Sequence, residues 1–583
     1  MFRSFSDRLL RYLRLSDTNL IIVLSIFVGL ATGFGALGFT ALIKYFNQLF
    51  FGMTDQFLTE TIGERGFKFW LPLIPMLGGL LVGPIVFKFA KEAKGHGVPE
   101  VMNSVARLGG IIRPRVAAAK TIASAICIGS GGSAGREGPI VQIGSAIGST
   151  IGQMLRMSGA QVKILVGCGA AAGISSVFNA PIAGVIFSLE IILGDFAIKT
   201  FSPVILSSVV ASVVTRTFMG NHPAFEVPDY SLVSVWEIPL YMAMGVVLGG
   251  GGVLFTRTLD WFEDFFEKLK FPSVYKPAVG GLLLGVIALF YPQVLADGYE
   301  TIKLTLYGEL GLSLLLVLIF LKLLATSLTL GSGNSGGIFA PALFMGAVMG
   351  GSYGILMNYL FPGVTATPGA YALVGMAGMV AATTHAPITA LLIIFEMTTD
   401  YRIILPLMVT VVFSALVAGR LFEHSIYTVK LAKRGIEIKG GRDINVLKSH
   451  MVKEIMDTEF ESISPSSPLA GIFQRIEQTK ESYFVVEDAQ KHLKGVISFQ
   501  DIRSLLSEHS LDYLVIAQDL LQGETALLFF DDDLEKAYRM FTARDLALIP
   551  VVNEYNENRV IGVLRRADLM NFYNKRLLET LRR

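Results

Sequence analysis

A glycine-rich segment that occurs twice within apolar sequence constrains this chain more than any other feature. GSGGSAGREGP at 129–139 and GSGNSGGIFAP at 331–341 agree at six of eleven positions, 202 residues apart. FNAPIAGVIFSLE at 178–190 and THAPITALLIIFE at 384–396 share Ala-Pro-Ile and a terminal Glu at an offset of 206. Duplicated halves interrupted by Gly and Pro at equivalent places imply a transporter-like membrane fold, with its site between the repeats. The repeats are expected at about 19–235 and 236–440.

Apolar runs surround these segments at 19–44, 71–90, 116–130, 139–155, 162–193, 201–218, 237–256, 277–291, 312–330, 338–360, 370–396 and 403–422. A span needs roughly 20 residues, so the shorter runs read as broken helices whose loose backbone is buried in protein or lines a cavity. Charge then separates two regions. Residues 441–583 carry 18 Lys/Arg and 23 Asp/Glu, whereas the 440 residues before them carry 31 and 24. A membrane body at 19–440 is therefore followed by a soluble tail at 441–583.

Residues 1–18, with Arg3, Arg8, Arg11 and Arg14, read as an amphipathic helix on the cytoplasmic surface. Lys430, Lys433, Arg434, Lys439 and Arg442 follow the last run. The positive-inside rule then sets both termini and the tail in the cytoplasm, with an even number of crossings. The overall charge of +2 with no Lys/Arg-dense face excludes nucleic acid as a main partner. Cys127, Cys168 and seven scattered histidines form no metal-ligand spacing, and no nucleophile–base–orienter set can be assembled. No enzyme activity, metal or required cofactor is expected.

Each glycine segment can present unpaired backbone N–H groups at a helix start. Pro139 suits the first turn of one helix, the same grammar ends at Pro341, and Pro99 follows Gly95-His96-Gly97-Val98. Three such starts converging at membrane depth would hold a small anion by dipoles, tightly enough to bind and loosely enough to release. Any one loop taken alone fits close helix packing equally well.

GHGVPE at 95–100, GSGGSAGREGP at 129–139 and GNSGGIFAP at 333–341 resemble, in order, the three signature loops of the CLC family of chloride channels and proton–chloride antiporters. Tyr427, in SIYTVKLAK, resembles the family's anion-coordinating tyrosine. The likeness covers residues 18–440. It implies an all-α polytopic membrane protein of about 17 tilted, broken helices in two inverted repeats. It further implies a homodimer with one pore per subunit in a bacterial inner or plasma membrane, carrying chloride and, in an exchanger, protons.

By position, Glu137 is similar to the family's gating glutamate. His96, Gly97, Arg136, Gly138, Ile338, Phe339 and Tyr427 fall in the anion-binding segments. An ionisable residue within the membrane is functional by default, and a pairing of Glu137 with Arg136 is disfavoured because adjacent helical residues do not face each other. Lys120 matches a basic family position that raises the local potential; it equally fits a structural, snorkelling lysine.

Two positions depart from the family pattern. His96 stands where a serine is usual, which leaves the ranking of chloride against nitrate and other small anions open; a His96 that points away would leave only backbone coordination. Ile191 stands where proton-coupled members often carry a glutamate, directly after Glu190. An aliphatic side chain relays no protons. Passive anion conduction is thus the first reading and proton-coupled antiport the alternative. A membrane-anchored nucleotide sensor without transport is opposed by the joint presence of Glu137, Phe339 and Tyr427.

The tail repeats too. YFVVEDAQKHLKGVISFQDI at 483–502 parallels IPVVNEYNENRVIGVLRRADL at 549–569, with Gly495 and Gly562, and Asp501 and Asp568, each 67 residues apart. This α/β pattern resembles a tandem CBS pair at about 451–510 and 511–575. The resemblance implies ATP, ADP or AMP between the repeats, with Ser498 and Asp501, and then Arg565 and Asp568, at the nucleotide. Both Asp residues fit helix N-caps equally well.

Overall fold

The computed structural model describes residues 17–52, 70–221, 225, 227–228, 230, 232–398, 401–439, 442–443, 447, 450–479, 481–503, 513–521, 525–544, 546–553 and 559–582; the side chains at 17, 18, 439, 442, 443, 477, 500, 501, 544 and 577–582 are excepted. Most of the amphipathic segment expected at 1–18 lies outside the described residues. The chain divides into two units, Met1–Arg442 and Asp443–Arg583, and each is treated by itself.

The first unit is helical throughout its core. Its helices are α1 Asp17–Asn47, α2 Leu73–Pro84, α3 Val98–Arg107, α4 Pro114–Gly129, α5 Glu137–Met154, α6 Gly159–Phe178, α7 Pro181–Phe187, α8 Ile198–Met219 and α9 Glu237–Lys268. The order continues with α10 Lys276–Ala288, α11 Tyr299–Leu306, α12 Leu312–Gly331, α13 Phe339–Leu360, α14 Pro368–Thr384, α15 Pro387–Thr398, α16 Ile404–Leu421 and α17 Val429–Lys433. Among the described residues, seven helical segments are long and apolar enough to cross a membrane, and shorter apolar helices lie between them. Large apolar side chains such as Phe27, Val213, Phe320, Leu405 and Leu416 point outward from long helices. In water such faces would aggregate; in a bilayer they meet lipid tails.

Two runs that apolarity alone makes continuous are each two helices. The 162–193 run breaks at Asn179 (φ 57°), between α6 and α7, and the 370–396 run breaks at His385 (φ 55°), between α14 and α15. Both residues precede Ala-Pro. The proline bars the residue before it from the α region, and the left-handed residue ends the preceding helix.

Small residues bring the remaining helices together in equivalent pairs. A Cβ on Gly144 of α5 would stand 2.2 Å from the Gly169 carbonyl oxygen of α6, and one on Gly346 of α13 would stand 2.4 Å from that of Gly375 of α14. The packing explanation of the glycines therefore holds within the helices.

The tail holds two copies of one small α/β arrangement. Strands β1 Ser462–Ile463, β2 Tyr483–Glu487 and β3 Leu493–Ser498 form one sheet; β4 Leu528–Phe529, β5 Leu548–Val552 and β6 Val560–Arg565 form the other. In each, the first pair is parallel and the second antiparallel, with Val486 opposite Gly495 and Val551 opposite Gly562. Helices α18 Leu469–Gln478 and α19 Phe499–Ile502 accompany the first sheet, α20 Leu534–Arg544 and α21 Arg566–Arg582 the second. Phe484, Val486 and Ile497 pack with Leu469 and Ile472; Ile549, Val551 and Leu564 pack with Leu534 and Phe541.

Candidate functional site

The three glycine loops meet. Gly95 N–H donates to Asn334 O (3.0 Å) and Gly336 N–H to Gly95 O (3.2 Å). Gly135 and Gly337 exchange N–H···O bonds of 2.8 and 2.6 Å in an antiparallel bridge. These two glycines occupy the same place in the duplicated segment, so the repeats are related there by a local two-fold. Side chains obey the same relation: Ser124 Oγ lies 2.9 Å from Ser335 Oγ, and Ser133 Oγ lies 3.1 Å from Thr326 Oγ1.

A Cβ on Gly138 would stand 2.3 Å from His96 O and 3.0 Å from Gly337 Cα, so all three loops touch at this one residue. From the cluster the starts of α3, α5 and α13 emerge at Gly97–Val98, Arg136–Glu137 and Ile338–Phe339. Gly97 takes φ 83°, open to glycine and strained for other residues. Each start leaves several N–H groups without an intrahelical acceptor.

The expected site residues gather here. Glu137 is 1% exposed, and His96, Ile338, Phe339 and Tyr427 are likewise buried. The His96 and Tyr427 rings lie 5.8 Å apart, and Phe339 lies 5.4 Å from Phe178. His96 Nδ1, Arg136 Nε and Glu137 Oε2 are buried without a hydrogen-bond partner among the described residues. Asn334 Oδ1 and Gln142 Oε1, on and beside the same loops, also lack a partner among the described residues. Buried polar atoms are nearly always paired, so these are the atoms a polar ligand at the cluster would satisfy.

Lys120 is completely buried and donates to Ala93 O (3.1 Å) and Gly95 O (2.6 Å), the loop that carries His96. It clamps that loop from within the protein rather than reaching for the membrane surface. The second repeat contains a counterpart that sequence reading passed over. Lys322, also completely buried, donates to Val294 O and Ala296 O at 3.0 Å each. It clamps a loop, Ala296-Asp297-Gly298, in which Gly298 takes φ 78° just as Gly97 takes φ 83°. The first residue beyond is Tyr299, whose O–H donates to Glu137 Oε1 at 2.7 Å. The signal was present in the sequence: Gly97 and Gly298 are 201 residues apart, Lys120 and Lys322 202.

Glu190 does not stand free beside Ile191. Its carboxylate accepts from Ile388 N–H (3.3 Å), Thr389 N–H (2.7 Å) and Thr389 Oγ1 (2.6 Å), capping the start of α15. Glu396, its equivalent, accepts from Ile182 N–H (3.1 Å) and Ala183 N–H (2.6 Å) at the start of α7. Ile191 is 9% exposed. Both Glu190 and Ile191 line a cavity of about 420 Å³ that reaches Tyr427 past His385, His424 and Thr428.

In the tail, Ser498 ends β3 and Arg565 ends β6, at corresponding register positions. The Asp501 side chain lies outside the described residues. The Arg565 guanidinium donates to Asp457 (2.5 Å) and Glu481 (3.1 Å) and lies 3.9 Å from Asp568. The Arg565 hydrogen bond holds the Asp457 carboxyl below its ordinary range, and the same bond raises the guanidinium. A cavity of about 500 Å³ between the two copies is lined by Glu481, Tyr483, Ala547, Arg565, Arg566 and Met570.

Comparison with known proteins adds to this geometry. Residues 78–419 match the family profile "Voltage gated chloride channel", and residues 452–508 and 527–575 match "CBS domain". A ClcB-like protein of Ralstonia nicotianae is 35% identical over 406 residues, 68% of this chain and 94% of its own. The H(+)/Cl(-) exchange transporter ClcA of Salmonella paratyphi B is 32% identical over 439 residues, covering 73% and 91% of the two chains. The crystal structure of a slow cyanobacterial Cl-/H+ antiporter superposes with a TM-score of 0.66 at 28% identity, covering 72% of this chain and 98% of the other.

Proposed function

The chain belongs to the voltage-gated chloride channel family, with a pair of CBS domains after its membrane unit, and we propose that it conducts chloride passively through the three-loop site, with Glu137 as the gate. What carries this reading is the pair of buried, unpartnered atoms able to donate beside the converging helix starts, His96 Nδ1 and Arg136 Nε. A dehydrated chloride seated there exchanges its water shell for helix-start N–H groups, as fixed dipoles cost no reorganisation when the ion arrives. The ionised Glu137 carboxylate competes for the same N–H groups. Protonation removes its charge, and the anion displaces it.

Passive flow follows from Ile191 and Glu190 together. Isoleucine carries no proton, and the neighbouring carboxylate is engaged by three donors at the start of α15. A second reading, proton-coupled exchange, draws on the cavity that reaches Tyr427. Water entering it offers protons a path that avoids position 191, and relatives named as exchangers point the same way. The protein works as a homodimer, with both termini and the CBS pair cytoplasmic. His96, its ring centre 5.8 Å from that of Tyr427, sets the anion ranking.

In the CBS pair we place the adenosine part of a nucleotide at the cavity lined by Tyr483 and Arg565, whose guanidinium lies 3.9 Å from Asp568. Arg565 and Arg566 in the cavity wall face the phosphates of ATP, ADP or AMP, with Glu481 opposing them. Saturation with 100 times the dissociation constant raises stability by about 2.7 kcal/mol, which thermal unfolding reads directly.

The deciding experiment is a reversal-potential measurement in liposomes under a chloride gradient, with and without a pH gradient. A potential that follows chloride alone supports the channel; a pH gradient that drives chloride uphill establishes the exchanger instead. Glu137→Gln should mimic protonation and give flux that depends less on pH than the wild type's. Flux that kept the wild-type pH dependence would remove Glu137 as the gate.

A further inference from the structure

The start of α11 is a copy of the start of α3 put to another use. Lys322 clamps its loop through two carbonyls as Lys120 clamps the other, and Gly298 turns the backbone as Gly97 does. After the turn, the first repeat has Val98 and the second has Tyr299. The Tyr299 ring is fixed on two sides. Phe225 packs edge-on at 5.2 Å, and the Arg136 guanidinium lies over the ring 5.1 Å from its centre. Its hydroxyl reaches Glu137 Oε1 at 2.7 Å, leaving Oε2 without a partner among the described residues.

We propose that Tyr299 is a positioning residue that latches the Glu137 gate: its phenol holds the ionised carboxylate in the anion path. The latch rests on the reading of Glu137 as the gate and adds its regulation. A hydrogen bond to an ionised oxygen is stronger than one to a neutral acid, so the phenol favours the closed, charged form. It weakens once the carboxyl is protonated, which lets chloride push the side chain aside. The other groups acting on Glu137 are Arg136, Asp297 and Tyr427. Arg136 draws the carboxylate by charge, Asp297 repels it and Tyr427 acts on it through space; among these groups the Tyr299 hydroxyl makes the direct bond. The Lys322 clamp keeps the hydroxyl in place, because the turn that carries it cannot relax while two carbonyls are held.

The test uses purified protein in liposomes, with chloride efflux recorded across a pH series. Tyr299→Phe keeps the ring between Phe225 and Arg136 and removes the donor. Its pH of half-maximal flux should move up by about one unit, the tenfold change expected when a bond to a charged group is lost. The pH profile of Tyr299→Phe combined with Glu137→Gln should match that of Glu137→Gln alone. A purely structural tyrosine predicts the opposite pattern: flux lowered by the same factor in both backgrounds, with no shift of midpoint. That result overturns the latch while leaving the gate intact. If Glu137→Gln keeps the wild-type pH dependence, the gate itself fails, and the latch with it. Incorporation of 3-fluorotyrosine at 299 provides a second variant that retains the hydroxyl and strengthens donation, and it should move the midpoint down; an upward or absent shift also overturns the latch.

Discussion

Set side by side, the two membrane repeats divide their residues into two kinds. Some positions match in identity and in role. Lys120 and Lys322 each hold two loop carbonyls, Gly135 and Gly337 bond to each other, and Glu190 and Glu396 each cap the other repeat's Ala-Pro-Ile helix. Other positions match in backbone but differ in chemistry: Glu137 against Phe339, Val98 against Tyr299, His96 against Asp297. Matched pairs build the scaffold, because a two-fold needs the same bond made twice. Unmatched pairs carry the proposed chemistry, because an anion path gated at one end would not be symmetric. On this comparison, an unmatched residue at a matched backbone position is the place to look for function.

The largest effect that could break this comparison is expected at the meeting point of the loops. Gly138→Ala puts a Cβ 2.3 Å from His96 O, where neither backbone can retreat without opening the cluster. Loss of folded protein and of flux is expected, read by size-exclusion chromatography and efflux. Gly419→Ala in α16, with no other atom within 4 Å of the new Cβ, is the control. It should be neutral or stabilising by up to about 1 kcal/mol. A functional Gly138→Ala protein would mean that the loops do not close as described.

The lysine clamps come next. Lys120→Met and Lys322→Met each take a donor from two buried carbonyls, at a cost of about 1–3 kcal/mol. Thermal unfolding in detergent should fall by similar amounts for the two. A drop confined to Lys322, with Lys120→Met lowering flux but not stability, would show that Lys120 serves the anion's potential rather than the scaffold.

Smaller effects are expected at the caps. Glu190→Gln and Glu396→Gln weaken charge-assisted bonds to helix starts and should each cost about 1 kcal/mol. Neither should alter the reversal potential under a pH gradient. If Glu190→Gln alone did so, Glu190 would leave the matched set and join the proton path.

The least effect lies in the tail, where the repeats are held by a more exposed ion pair. The Asp457 carboxyl is depressed by Arg565, so the pair's contribution is present above the unfolded carboxyl value near 3.9 and fades as pH falls through the lower folded value. Arg565→Ala should therefore destabilise the tail at pH 7 by less than about 1 kcal/mol. The gap to wild type should close below about pH 4. A gap that stayed constant on acidification would assign the effect to packing of the Arg565 stem.

The sequence by itself determined the membrane body, the paired α/β tail, the duplication, the three loops and the gate candidate Glu137. Each of these is written locally, in apolar runs, in Gly and Pro spacing, or in strand alternation around a glycine. It also misjudged locally written features: the breaks at Asn179 and His385 were signalled by the Ala-Pro after each, yet apolarity masked them. Only the tertiary structure decided which residues meet across the repeats. Tyr299 reaches Glu137 from 162 positions away, and Thr389 reaches Glu190 from 199. Such pairings depend on how closely glycine-lined helices such as α5 and α6 approach, a property of two packed surfaces that no local periodicity expresses. The same holds for Glu190, which reads in the chain as a carboxylate beside a proton path and becomes, once α15 is packed against it, a helix cap.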